Sequence, residues 1–383
     1  MNRGLTEEQV LLRDTVRKFA EANIKPYAFE LDEKEEFSYK ISQEMADMGF
    51  FSCFIPEEYG GSGLDYVSYI IVVEELARVD GSQAATIAAL NSLGVGPLYY
   101  YGNSEQKKKY LPKISQGALW GFGLTEPEAG SDAGNTQTIA VKDGNDWVLN
   151  GSKIFITNAS ADITLGSTVL AVTGTKPDGH KELTCFLVEN GTPGFTAKKM
   201  EKKLMWRASN TSELYFEDCR VPEENILGKR GDGFKQMLGT LDKGRLSIAA
   251  MGLGNAQGAF ELAMNYAKQR KTFGVPISRH QVISFKLADI EIGLELARTY
   301  LYDVCRMTNR GENIIKEGAI AKLYCSELAH TASDHCVQIH GGYGLMKEYG
   351  AERFYRDQKL LEIGEGTSEV QRIVIARSIG CFD

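Results

Sequence analysis

The sequence predicts an α+β protein of three domains, in the order helical, β and helical. Apolar residues recur with the period of a helix over residues 1–117, alternate as in strands over 118–232, and return to the helical period over 233–383. A chain of 383 residues is long enough for two or three domains that each bury a core. This length, with 43% hydrophobic residues, excludes a disordered chain and a small disulfide-stapled scaffold.

The amino-terminal helical domain starts with a capping signal. Thr6 and Gln9 have the spacing of a capping box, in which each side chain accepts the backbone N–H group of the other residue. Further helices are predicted over 38–48, 65–79, 82–90 and 104–110. Between the first two of these helices, residues 56–63 contain one proline and three glycines and therefore predict a turn.

The middle and carboxyl-terminal domains differ in their hydrophobic period. Short strands with frequent turns are predicted around 147–149, 168–172, 184–188 and 213–216. Asn150 and Gly151 both accept a positive φ, so we expect a tight hairpin turn there. The strands predict an antiparallel β-barrel or sandwich. Beyond residue 233, helices are predicted over 234–270, 279–309, 314–339, 352–356 and 368–379.

Charge and composition exclude several classes of protein. The chain has 43 basic and 51 acidic residues, a net charge of −8, and no basic run long enough to follow a nucleic-acid backbone. No run reaches the 18 apolar residues of a membrane span. His330, His335 and His340 are five residues apart and leave a common helix face, so we expect no metal site. Seven dispersed cysteines, without a Cys-x-x-Cys pair or a signal-peptide pattern, favour a cytoplasmic location.

Two segments of the β-domain have the residue types of a cofactor site. The loop over 125–132 contains proline and glycine and offers backbone N–H groups with the hydroxyls of Thr125 and Ser131. Such a loop can cradle the polar edge of a cofactor, although a plain turn between strands also explains it. Phe155 and Thr157 lie two residues apart on a strand and share a face, as in a cofactor contact or an ordinary strand core.

The carboxyl-terminal domain contains three further candidates. Asp242 and Arg245 are three residues apart on a helix, which suits an internal ion pair. Residues 270–274 place basic side chains and a glycine at a helix end, and residues 338–344 place three glycines between helices. Each of these two segments suits a phosphate group or simply a turn.

Glu365 is the most distinctive candidate. It lies between Gly364 and Gly366, directly before an amphipathic helix, so its carboxylate can reach into a cleft. Helix capping explains the hydroxyl residues Thr367 and Ser368 that follow. Capping does not explain the two glycines, which leaves a functional role open for the carboxylate between them.

Together these segments resemble the acyl-CoA dehydrogenase family over nearly the whole chain. The resemblance rests on the order and spacing of Pro56–Gly61, Thr125–Asp132, Phe155–Thr157, Arg270–Gly274, Gln338–Gly344 and Glu365–Glu369. It implies a helical amino-terminal domain, a middle β-domain and a carboxyl-terminal four-helix bundle. It also implies a homotetramer with one FAD per subunit. The implied reaction is the oxidation of an acyl-CoA to the 2-enoyl-CoA, and the enzyme passes the electrons to an electron-transfer flavoprotein.

The resemblance implies roles for individual residues. Glu365 would remove the α-proton while the β-hydride goes to the flavin, and its backbone N–H would bind the developing enolate oxygen. The acyl-CoA would contact Ser131, Asp242, Arg245 and Gly366. The FAD of the same subunit would contact Phe122, Leu124, Thr125, Gly130, Ser131, Phe155, Thr157, Thr367 and Glu369. The FAD of a neighbouring subunit would contact Arg270, Phe273, Gln281, Gln338, Gly341 and Gly342.

Several positions differ from the usual pattern of the family. Some members carry the base at the residue before the family arginine, which here is Gly244, so Glu365 is the only carboxylate at a known base position. Phe155 stands where many relatives have Trp, and Met205 where Gly is usual. Gly364 stands where an aromatic residue often precedes the base, which should widen the pocket and favours a branched, cyclic or otherwise bulky acyl group.

Two other functions stay open at this point. An enoyl-CoA reductase would run the reverse reaction with the same groups, because both directions pass through one transition state. A catalytically silent, acyl-CoA-binding scaffold protein would keep the fold without the reaction, although the presence of Glu365 argues against it.

Overall fold

The computed structural model describes residues 4–382, and its amino-terminal domain is helical. The helices are α1 Glu7–Phe19, α2 Lys25–Lys34, α3 Tyr39–Asp47, α4 Tyr66–Ala77, α5 Gly81–Ala89, α6 Gly96–Tyr101 and α7 Ser104–Ser115. The predicted capping box is confirmed, since the Gln9 N–H donates to Thr6 Oγ1 at 3.2 Å and the Thr6 N–H donates to Gln9 Oε1 at 3.1 Å. Helix α7 continues past its predicted end at Tyr110, through Pro112.

The middle domain is one curled sheet of seven strands. They are β1 Leu119–Gly123, β2 Ile139–Asp143, β3 Asp146–Thr157, β4 Thr164–Thr175, β5 Lys181–Glu189, β6 Phe195–Lys199 and β7 Thr211–Pro222. Their order is β1-β4-β2-β3-β7-β6, with β5 paired to β4. Strand β4 runs parallel to β1 and β2, because the chain passes through the β2–β3 hairpin before β4 returns beside β1. The sheet is therefore mixed, whereas the sequence predicted a wholly antiparallel one.

The predicted hairpin turn at Asn150 and Gly151 is wrong, because both residues lie inside β3. The turn lies earlier, between Asp143 of β2 and Asp146 of β3. Asn150 instead exchanges hydrogen bonds with Asp218 of β7, and the register of the two strands shifts at Gly151, which has a φ of 143°. The positive φ that suggested a turn thus serves a bulge in a long strand.

The carboxyl-terminal domain is built on α8 Gly233–Gln269, α9 Gln281–Asn309 and α10 Ile315–His340. A small hairpin of β8 Lys271–Thr272 and β9 Val275–Pro276 joins α8 to α9, and α10 is followed by α11 Ala351–Asp357, α12 Lys359–Ile363 and α13 Ser368–Ser378. Helices α8, α9, α10 and α13 form the four-helix bundle that the resemblance implies. The bundle holds the last predicted helix, α13, against α10.

Helix α8 connects all three domains. It packs along α10 of its own bundle and against α4 and α5 of the amino-terminal domain, within one hydrophobic core. At its first residue, a Cβ on Gly233 would lie 2.8 Å from the Cys185 nitrogen of β5, so the helix begins directly against the sheet. Any site formed between the domains therefore has α8 as one wall.

Three further features bear on function. Within residues 4–382, no helix has both the length and the apolar character that a membrane crossing needs. The same part of the chain has no group of three or more His, Cys, Asp or Glu side chains placed to hold a metal ion. All seven cysteines are unpaired, and of these only Cys381 is exposed.

Candidate active site

Glu365 lies in the short loop between α12 and α13. Its φ is 54° and that of Gly366 is 92°, so two consecutive residues are left-handed. A non-glycine residue in this conformation is strained and persists only where its surroundings hold it. Gln371 of α13 contributes to this, because its Nε2 donates to the carbonyl oxygens of Glu365 at 3.2 Å and Gly366 at 2.9 Å. Thr367 caps α13 by accepting the Val370 N–H, as expected.

The Glu365 carboxylate lies against α8. A Cβ on Gly244 would be only 2.1 Å from Glu365 Oε2, so the absence of a side chain at 244 leaves the space that the carboxylate fills. The residue as a whole is half-buried, but its Oε2 is closed off from solvent and has no hydrogen-bond partner among the described residues. Burial raises the pKa of Glu365 to about 7, against the opposing positive charges of Lys322 and Arg245. The carboxylate is therefore suited to accept a proton near neutral pH.

Asp242 and Arg245 form the predicted ion pair on α8, with Arg245 Nη1 2.8 Å from Asp242 Oδ1. Burial raises the pKa of Asp242 although the arginine opposes it. Arg245 is buried, and its Nε has no partner in the part of the chain that the structure describes. An ion pair and a ligand contact are thus compatible, and the predicted contact with acyl-CoA stays a prediction.

The loop at 125–132 follows β1, and a buried ion pair inside the sheet, described below, holds it in place. Phe122 and Leu124 are buried, whereas Gly130 and Ser131 are exposed. Farther along the loop, a Cβ on Gly134 would lie 3.8 Å from the Phe234 ring on the first turn of α8. The loop therefore borders the helix that carries Asp242 and Arg245, with its exposed backbone available to a ligand.

A buried ion pair that sequence reasoning missed supports this loop. Lys153 Nζ of β3 lies 2.5 Å from Glu126 Oε1 and also donates to the Leu124 carbonyl, and both charged side chains are almost fully buried. The same carboxylate accepts the backbone N–H groups of Gln137 and Thr138. The alternation of β3 places Lys153 on the inward face, which is the one local signal that could have revealed it.

Phe155 is not a strand-core residue. Its side chain is 61% exposed and its φ is 63°, at a point where the register between β3 and β7 is irregular. Thr157, two residues on, is half-buried. An exposed aromatic ring held in a strained conformation is available to stack on a planar ligand.

A second group of candidates lines a cavity of about 640 Å³ in the carboxyl-terminal domain. Arg270, Gly341 and Gly342 contribute to its wall, and nothing lies within 4 Å of a Cβ built on either glycine. Phe273 is 97% exposed, and Gln281 and Gln338 are also exposed, but these three side chains do not line the cavity. A single chain thus brings only part of this predicted set together.

These features fit an FAD. The exposed Phe155 ring offers a stacking surface, the loop over 125–132 offers backbone and hydroxyl groups, and Arg270 offers a positive charge beside the open glycine backbone of Gly341. FAD has a planar ring, a hydroxylated chain and a pyrophosphate, and these are the parts that such groups recognise. The two sets of groups lie on different domains of the chain.

Comparisons with known proteins give one family. The chain matches the family models for the acyl-CoA dehydrogenase N-terminal domain over residues 6–118, the middle domain over 121–219 and the C-terminal domain over 231–380. It is 48% identical to the probable acyl-CoA dehydrogenase YngJ of Bacillus subtilis, over 99% of this chain and 100% of that protein. It is 43% identical to the short-chain specific acyl-CoA dehydrogenase of Clostridium acetobutylicum, with the same coverage.

Solved structures agree with these matches. The butyryl-CoA dehydrogenase of Megasphaera elsdenii superposes with a TM-score of 0.94 at 41% identity, over 98% of this chain and 99% of that one. A chain from the work on the electron transferring flavoprotein of Acidaminococcus fermentans superposes with a TM-score of 0.95 at 43% identity, over 99% and 100%. With three domain models matched in order along its length, this chain belongs to the acyl-CoA dehydrogenase family.

Proposed function

We propose that this protein catalyses the FAD-dependent α,β-dehydrogenation of an acyl-CoA thioester, with Glu365 as the base. The observation that carries the proposal is the Glu365 carboxylate itself. Its Oε2 is closed off from solvent against α8 and lacks a hydrogen-bond partner among the described residues, and burial raises the pKa of the carboxylate to about 7. A silent scaffold has no need of such a group, which is costly to bury.

The loop that carries the base also supplies a donor. As the α-proton leaves, negative charge develops on the thioester oxygen, and a positioned N–H group stabilises it. Within residues 4–382, the backbone N–H of Glu365 donates to no other group, so it is free for that oxygen. The base and the oxyanion donor are then one residue, and the strained backbone at Glu365 fixes their relative orientation.

FAD, when bound, supplies the acceptor for the hydride that leaves the β-carbon. Phe155, Thr157 and the loop over 125–132 would hold its ring system, with further contacts from Thr367 and Glu369 at the start of α13. Ser131, Asp242, Arg245 and Gly366 would contact the acyl-CoA. The buried Glu126–Lys153 pair holds the loop over 125–132 from inside the sheet.

The relatives support a short-chain acyl-CoA as the substrate and an electron-transfer flavoprotein as the electron acceptor. Two of the proteins compared are a short-chain specific acyl-CoA dehydrogenase and a butyryl-CoA dehydrogenase, and another comes from work on an electron transferring flavoprotein. We extend both properties to this chain as proposals. The unpaired state of all seven cysteines supports a reducing compartment, and we place the protein in the cytoplasm.

Replacement of Glu365 by Gln should separate binding from chemistry. Gln is nearly isosteric but cannot accept the α-proton, so flavin reduction should fall by about 10² to 10⁴ while FAD content and acyl-CoA binding survive. In the wild type, reduction should fall as the pH drops through about 7, because the carboxylate becomes protonated. Rapid mixing with acyl-CoA under anaerobic conditions measures both effects.

Glu362→Gln is the matched control for this measurement. Glu362 lies three residues before the base, and its carboxylate pairs with Lys359, the first residue of α12. The control should reduce its flavin at nearly the wild-type rate. Reduction of Glu365→Gln within a few-fold of wild type would remove Glu365 from the mechanism.

Arg270 should matter for FAD retention. Its side chain lines the cavity beside Gly341, so Arg270→Ala removes a charged donor from the proposed pyrophosphate site. FAD affinity should fall about 10- to 100-fold, the loss typical of one charge-assisted hydrogen bond. Lys268→Ala, which removes an exposed basic residue outside the cavity lining, is the control. Equal FAD affinity of the two variants, measured by flavin fluorescence, would contradict this assignment.

The protein should be a homotetramer. Val282, Phe285, Ile292 and Leu296 of α9 recur on one helix face, and each is between 58% and 64% exposed in the single chain. An apolar face of this length calls for a protein partner. Sedimentation should give a mass near four times 42.3 kDa. An FAD-loaded, active monomer would contradict both the assembly and the shared cofactor site.

Gly364 should make room for a branched or cyclic acyl group. Its φ of −67° and ψ of 150° suit any residue, and a Cβ there meets only Leu360 atoms at 3.4 Å or more, so backbone geometry does not require glycine. Gly364→Tyr should slow turnover of branched acyl-CoAs by about 1–3 kcal/mol of activation free energy and spare butyryl-CoA. Gly364→Ala should spare the turnover of both substrates. The measurement is kcat/KM for a branched acyl-CoA and for butyryl-CoA in each variant. Equal losses in the Tyr variant would end the proposal of a widened pocket.

A further inference from the structure

Lys322 is a buried cation that neither the sequence analysis nor the proposed chemistry uses. It lies in the middle of α10 and is 0% exposed. Among the described residues, no carboxylate lies within ion-pair distance of its ammonium group. A buried ammonium is costly unless polar groups receive it, so its position calls for an explanation.

The ammonium of Lys322 holds the backbone that follows the base. Its Nζ donates to the Gly366 carbonyl oxygen at 2.8 Å. One helical turn further along α10, Ser326 Oγ donates to the Leu361 carbonyl oxygen at 2.8 Å. Two side chains one turn apart on a single helix thus bind the backbone before and after Glu365, one in α12 and one in the loop.

The loop needs this attachment because its backbone is strained. Glu365 and Gly366 are both left-handed, and a glutamate does not adopt this conformation without support. A relaxed backbone would turn the carboxylate away from Gly244 and reorient the N–H of Glu365. The position of the base and the position of the oxyanion donor therefore depend on the same hydrogen bonds, those from Lys322 and Ser326 to the backbone.

The charge of Lys322 also acts on the base. Burial raises the pKa of Glu365, and the charges of Lys322 and Arg245 lower it. Arg245 is already paired with Asp242, whereas Lys322 has no carboxylate in contact. Tyr69 of α4 also faces the carboxylate, and the charged groups that act on Lys322 are Glu365, Arg245, Glu362 and Glu369.

We propose that Lys322 is the positioning residue of the base: it holds the Gly366 carbonyl, keeps Glu365 against Gly244, and favours the ionised carboxylate through its unpaired charge. This role rests on the proposed function, because it assumes that Glu365 takes the α-proton. Lys322 acts through the loop, to which its Nζ is bonded at the Gly366 carbonyl oxygen. Burial lowers the pKa of its own ammonium to about 8, so the charge is present at neutral pH.

The test is the pH dependence of flavin reduction in Lys322→Met. We expect reduction at pH 7 to slow about 10- to 100-fold, as a misplaced catalytic group does, with FAD content unchanged. The acid limb of the profile should move to higher pH, because the charge that lowers the pKa of Glu365 is gone. A loss of packing alone would lower the rate without moving that limb.

Three matched variants separate charge from attachment. Lys322→Arg keeps a charged donor, so its acid limb should stay at the wild-type pH. Ser326→Ala removes the bond to Leu361 but no charge, so it should slow reduction without moving the limb. Lys322→Gln loses the charge and keeps a donor, so its limb should move. This variant decides the question if Lys322→Met fails to fold.

Hydrogen exchange of the substrate-free holoenzyme gives a second readout. Backbone amides over residues 361–367 should exchange faster in Lys322→Met, while those of the β-domain stay as in the wild type. Two results together would overturn the role of Lys322. Amides over residues 361–367 would exchange at the wild-type rate, and the acid limb of the pH profile would stay at the wild-type pH in both Lys322→Met and Lys322→Gln. Flavin reduction by Glu365→Gln within a few-fold of the wild-type rate would instead overturn the proposed function, so the two failures are distinguishable.

Discussion

A carboxylate oxygen that is closed off from solvent, with no hydrogen-bond partner in the described part of the chain, is the constraint on which this structure depends. Such a group is costly, and its cost is the source of its basicity at neutral pH. Glu365 reaches this state because Gly244 leaves a gap in α8 and because its own loop adopts a left-handed backbone. The surrounding helices must therefore supply the free energy that keeps the loop in place, and α10 does so through its contacts with α8 and α13.

The two halves of the site use the same physical device. In the β-domain, Lys153 lies beneath the loop that follows β1 and pairs with Glu126 of that loop, whose carboxylate also accepts the backbone N–H groups of Gln137 and Thr138. In the helical domain, Lys322 lies beneath the base loop and holds a carbonyl group. Each loop thus presents its functional face outward because a buried charged side chain binds its backbone from within.

The sequence predicted most of what local patterns encode. The three domains, the capping box of α1, the Asp242–Arg245 pair and the loop of Glu365 all depend on residues close together in the chain, and the structure contains them. Asn150 and Gly151 were misassigned because a positive φ serves a bulge as well as a turn. Lys322 and the Glu126–Lys153 pair were missed because their partners are 27 or more residues away, so that local spacing does not reveal which groups they bind, even where strand alternation places Lys153 on the inward face.

The contact between Glu365 and Gly244 also restricts where a base can stand in this fold. The resemblance gives two base positions, which here are 365 and 244. A Cβ at 244 would lie 2.1 Å from Glu365 Oε2, closer than any real contact, so a side chain there would displace the carboxylate. Two carboxylates in the same space would also repel each other, and one would be neutral near pH 7. Glycine at 244 therefore leaves the space against α8 to the Glu365 carboxylate, whereas a second carboxylate at 244 would compete with it for that space.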